Sequence, residues 1–144
     1  MTARRLAGDD VAVPDGRLRM VKVLLTVAAA YLAVIGAALL LVPAQFGVDA
    51  VPDDPSSELI ALLRLLGGPF LGIAVLNWMS RDPESPGLRS VLVANLVGFG
   101  FVAANDVVGV LSGDARDLAR VFLVVHLAFT AAFVVALRHA DVRQ

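Results

Sequence analysis

The chain contains no cysteine in its 144 residues, which excludes disulfides, thiolate metal sites and thiol redox chemistry of the polypeptide itself. Charge is scarce too. Asp, Glu, Lys and Arg make up 17% of the residues, against about 25% in soluble domains. Lysine is almost absent: Lys22 stands beside eleven arginines, a bias expected of a GC-rich bacterial gene. The formal net charge is −1 and no basic patch interleaves with aromatics, so nucleic acid is not an expected partner. No P-loop, nucleophile elbow or metal-ligand spacing occurs. The sequence therefore predicts no catalytic residue, no cofactor and no metal site.

Apolar residues are what the chain has in abundance. They amount to 58% with a mean hydropathy of +0.81, more than one soluble fold of this size can hide from water. Four stretches carry the excess: Val23–Val42, Leu59–Met79, Val91–Leu111 and Leu118–Leu137. Twenty residues at 1.5 Å each match the roughly 30 Å hydrocarbon thickness. The first stretch holds no charge, and its apolar core exceeds the 7–15 residues or so of a signal peptide, so it reads as an uncleaved helix. The expected fold is all-α: a four-transmembrane-helix bundle, up-down-up-down, over residues 22–138. A disordered cytoplasmic tail is expected at 1–21 and a short one at 139–144.

Helix starts are predicted from capping chemistry. In "DDPSSEL", Asp54 reads as the N-cap, Pro55 as the first helical residue and Glu58 as a first-turn acid. "ESPGLRS" repeats the pattern with Ser85 and Pro86, and "SGDARDL" offers Asp114 with Asp117 three residues on.

Orientation follows from the basic residues beside the spans. Arg4, Arg5, Arg17, Arg19 and Lys22 precede the first, Arg81 and Arg89 lie in the second loop, and Arg138 and Arg143 follow the last. The first loop carries only acids, Asp49, Asp53, Asp54 and Glu58, and the third carries Arg116. By the positive-inside rule both termini are cytoplasmic.

This topology assigns depths to the charges inside the spans. Arg64 and Asp106 each lie about 7–8 Å from the outer ends of their helices, and Arg120 about 3 Å. Intramembrane ionisable groups are costly and usually pair. Arg can snorkel outward on its long stem, and Asp cannot. Asp106, flanked by Asn105, is thus expected to face the bundle interior and pair with Arg64, Arg120 or both. The alternative is that both arginines snorkel while Asp106 meets water in a shallow vestibule.

Two further polar residues sit deeper. Asn95 shares a helix face with Phe99, Val102 and Asp106, a stripe suited to packing by an interhelical Asn bond or to lining a cavity. His126 lies mid-span with Phe122, Phe129, Thr130 and Phe133 on its face. With no second ligand nearby it reads as a histidine hydrogen-bonded to a neighbouring helix; a proton relay is the alternative. Asn77–Trp78 reads as an interfacial anchor. Ala29, Ala33 and Ala37, and the Gly68/Gly72 pair, read as close-packing positions. Pro69 removes a backbone hydrogen bond, predicting a kink.

At "SELIALLRLLGGPFLGIAVLNW", an acidic start, an internal Arg and a Gly-Gly pair before an apolar run, the chain resembles small bacterial four-helix membrane proteins of the DoxX-like type. The likeness spans about residues 23–137. It implies a bundle in the cytoplasmic membrane. Some DoxX-like proteins are linked to quinone or thiol redox complexes, a role that the missing cysteines and cofactor motif do not support here. Two functions are expected. One is an accessory or interaction subunit whose partners are membrane lipids and a second copy or another membrane protein, on the premise that so small a bundle has little interior. The other is a small-molecule or lipid-handling membrane enzyme or transporter using the polar groups. A cavity of about 300 Å³ or more reaching those groups would favour the second.

Overall fold

Lipid offers no partner to a backbone N–H or C=O, so apolar runs of this length satisfy their amides internally, as helices. The computed structural model describes residues 15–46, 51–113 and 118–141. Five helices run in order: α1 (Asp15–Leu41), the four-residue α2 (Pro43–Phe46), α3 (Ser57–Met79), α4 (Leu88–Ser112) and α5 (Ala119–Asp141). No strand occurs among the described residues. Stretches of α1, α3, α4 and α5 are each long and apolar enough to cross a membrane, which makes this a multi-pass membrane protein.

The helices overrun the predicted spans. Residues 15–21 belong to α1 rather than to a disordered tail, and 139–141 belong to α5 rather than to a C-terminal tail. The rest of the expected N-terminal tail, 1–14, lies outside the described residues. Capping differs as well. Ser56, not Asp54, caps α3: its Oγ accepts from the Leu59 amide at 3.2 Å. Ser supplies the acceptor that the third amide of a helix lacks, and Glu58 sits in the first turn as expected. Helix α4 starts after Gly87, at φ +77° and with no side-chain cap, not at Ser85–Pro86. Asp114 and Asp117 lie outside the described residues. Pro69 sits within α3, which continues through it.

The helices associate chiefly as two pairs, α1 along α3 and α4 along α5, with α1 also touching α5. The core between the pairs holds Leu25, Ala28 and Leu32 of α1 against Leu92 and Phe99 of α4 and Phe133 of α5. Association in lipid draws on close packing and interhelical hydrogen bonds, because hydrocarbon tails are as apolar as leucine. Close packing is achieved where Gly36 meets Gly67. A Cβ on Gly67 would stand 2.6 Å from Leu40 Cγ and 2.7 Å from the Gly36 carbonyl oxygen. The predicted pair, Gly68 and Gly72, does not form the close contact: both are exposed, and a Cβ on either meets nothing within 4 Å. Ala29 is buried as expected.

Much of the exposed surface is apolar. Leu65, Phe101 and Leu111 are 71%, 75% and 82% exposed, values suited to side chains solvated by lipid. Helix α3 buries only Gly67, Ala74 and Asn77.

Candidate functional site

Three polar side chains from three helices meet beside the aromatic core. Tyr31 of α1 lies with its Oη 2.7 Å from His126 Nε2 on α5. His126 Nδ1 lies 2.6 Å from Asp106 Oδ2 on α4. An ionised carboxylate only accepts, so Nδ1–H donates to Asp106. In the neutral ring Nε2 is then the acceptor of the Tyr31 hydroxyl. Both protons of the chain, the Tyr31 hydroxyl's and the imidazole's, are thereby used.

Aromatic packing fixes the geometry. Phe122 stacks on the imidazole at 6.0 Å between centroids and 16° between planes. The Tyr31 ring meets it edge-on at 5.8 Å, and Phe99 stacks on Phe129 at 4.5 Å. One helical turn along α5, Thr130 Oγ1 donates to the His126 carbonyl at 2.7 Å.

The polar triad is set in the wall of a cleft of about 430 Å³. Phe46, Phe70, Phe99 and Phe122 line it, with Ile35 and Val102, and Gly98 leaves part of the wall open. The lining is overwhelmingly apolar, and Tyr31, Asp106, His126 and Asn95 are its polar members. A hydrophobic slot with a few convergent polar groups is the usual form of a small-molecule site.

Asn95 reaches the cleft from a second buried polar pair. Asn77 Nδ2 donates to Asn95 Oδ1 at 2.9 Å, and Asn95 Nδ2 donates back to Asn77 Oδ1 at 2.6 Å and to the Val91 carbonyl at 2.8 Å. The expectation that Asn95 bonds a neighbouring helix is met. The reading of Asn77 as part of an interfacial anchor is corrected: its side chain is fully buried. Trp78 alone is half exposed, with the Arg81 guanidinium stacked 3.8 Å above its ring.

The predicted ionic cluster does not assemble. Among the described residues Asp106 meets His126 through the hydrogen bond from Nδ1 and pairs with neither arginine. Arg64, Arg120 and Asn105 are exposed. Depth along the membrane normal placed the three charges at one level, but helical phase decides which of them meet. His126 lies about 120° around α5 from the Arg120 face, six residues on, and that turn brings the imidazole rather than the guanidinium to Asp106. Tyr31 went unrecognised in the sequence, although it is the chain's one tyrosine and interrupts an aliphatic run. Among the described residues no group of three His, Asp or Glu side chains is arranged to hold a metal ion.

No family model, characterised protein or solved structure matches the chain.

Proposed function

We propose that this chain is a small-molecule-handling protein of the cytoplasmic membrane, taking amphipathic molecules into the cleft between its helix pairs. One observation carries this reading: a cleft of about 430 Å³ reaches the Tyr31–His126–Asp106 triad. That volume falls within the roughly 300–1,000 Å³ of ligand pockets. The accessory-subunit reading rests on a bundle with little interior, and a cleft of this size supports the small-molecule reading over it. An apolar body would lie along the phenylalanines and a polar head would reach the triad. The triad itself is a hydrogen-bonded path from a hydroxyl to a carboxylate, suited to holding a head group in one orientation.

Filling the cleft tests the reading. A Cβ at Gly98 would meet nothing within 4 Å, so the side chain of Gly98→Leu starts into the open space of the cleft it lines. With phenylbutanol as probe, titrated calorimetrically into the protein in phosphatidylcholine nanodiscs, wild type should bind saturably. Gly98→Leu should weaken binding by about tenfold or more, equivalent to about 1.4 kcal/mol. Equal binding by the two proteins would defeat the proposal.

The arrangement in the bilayer that accompanies this function is up-down-up-down with both termini cytoplasmic, supported by the arginine-rich flanks and the acidic first loop. The absence of native cysteine gives a clean background for Asp53→Cys and Ser85→Cys. An impermeant maleimide applied to intact cells should label the first and spare the second. Labelling of both from outside would overturn the topology.

A further inference from the structure

The atoms that the triad leaves unused define the head group. Tyr31 spends its proton on His126, and His126 spends its proton on Asp106. What remains toward the cleft is acceptor capacity alone: Asp106 Oδ1, which accepts no hydrogen bond from any described residue, and the outer lone pair of Tyr31 Oη. The site has no donor left to offer. An occupant must therefore bring one.

Charge narrows the class further. A carboxylate in an apolar wall requires a compensating cation or a full set of hydrogen bonds. Asp106 has one bond and, among the described residues, no arginine or lysine partner. A carboxylate, phosphate or sulfonate head would set like charge against like. An alcohol would satisfy one oxygen and leave the charge uncompensated. A primary ammonium brings three donors and the missing positive charge, in charge-assisted bonds about twice as strong as neutral ones. Resting on the cleft reading above, we infer that the occupant is a lipophilic primary amine, its ammonium on Asp106 and its apolar body along Phe70 and Phe99.

Three probes of one skeleton separate the outcomes: phenylbutylamine, phenylbutanol and phenylbutyrate, titrated into the full chain in zwitterionic phosphatidylcholine nanodiscs with empty nanodiscs subtracted. The amine should bind about tenfold or more tighter than the alcohol, and the carboxylate more weakly than either. Asp106→Asn retains an oxygen to accept from His126 Nδ1 but removes the charge. In that variant the amine should lose its advantage, the ratio of amine to alcohol affinity falling from about tenfold or more to about one. An amine no tighter than the alcohol in wild type overturns the inference and needs no variant; a preference surviving in Asp106→Asn overturns it equally. The cleft reading is judged separately. Alcohol binding that saturates and is lost in Gly98→Leu leaves that reading standing whatever the head-group result, whereas binding of all three probes that ignores Gly98→Leu brings both down.

Discussion

Gly67→Leu should push α1 and α3 apart and lower stability by about 3 kcal/mol, the upper part of the range for overpacked sites, while Gly68→Leu one residue along should leave it unchanged or slightly raised. The asymmetry comes from what surrounds each Cα. At Gly67 even a methyl group would meet Leu40 and the Gly36 carbonyl at less than 3 Å, and a backbone oxygen does not move aside as the end of a flexible side chain does. At Gly68 there is open space, and exchanging glycine for leucine in a helix gains up to about 1 kcal/mol of intrinsic propensity. Unfolding of the purified protein by a rising fraction of SDS in mild detergent reads the difference. Coincident midpoints for the two variants would show that the Gly36–Gly67 contact does not hold the pair together.

The second large effect is expected at the buried amides, and it too should be asymmetric. Asn95→Leu strands the Asn77 side chain, which is fully buried and has no other hydrogen-bond partner among the described residues. That loss should reach about 2–3 kcal/mol, the desolvation of a buried group left unpaired. Asn77→Leu should cost less, about 1–2 kcal/mol, because the Asn95 amide keeps its bond to the Val91 carbonyl. Replacing both by leucine should recover much of the loss, since removing a polar pair together leaves nothing unsatisfied. The same SDS titration in a double-mutant cycle measures this. Strictly additive single losses would mean that the two amides do not depend on one another.

The sequence made the helices legible and left their pairing hidden. A twenty-residue run without charge admits one solution in lipid, so the spans could be placed to within about a turn, except at the start of α1, which begins at Asp15 rather than Val23. Contacts between helices depend on rotation about each axis, and here the reading divided. Asn95 was placed on a face with Phe99 and Asp106 by counting residues within α4, and all three do line the cleft. Asp106 was assigned to arginines by comparing depths across helices, and it meets His126 instead. Depth along a helix follows from a fixed rise per residue, whereas the rotation of one helix against the next follows from packing. Gly67 illustrates the same limit. The GxxxG spacing selected Gly68 and Gly72, but the face that α3 turns to α1 is the one bearing Gly67. Tyr31 carried a usable signal, a lone hydroxyl in an aliphatic run, though its partner lies 95 residues away in sequence.

The two polar contacts that bridge the helix pairs stand at different heights. On α4, Asn95 and Asp106 are eleven residues apart, about 16 Å along the axis. Rods fastened at one point can swivel about it; rods pinned at two cannot rotate or slide past one another without breaking a fastening. The α1–α3 and α4–α5 units are held in a single register for that reason, and the slot between them keeps its width even though its walls are mostly grease against grease.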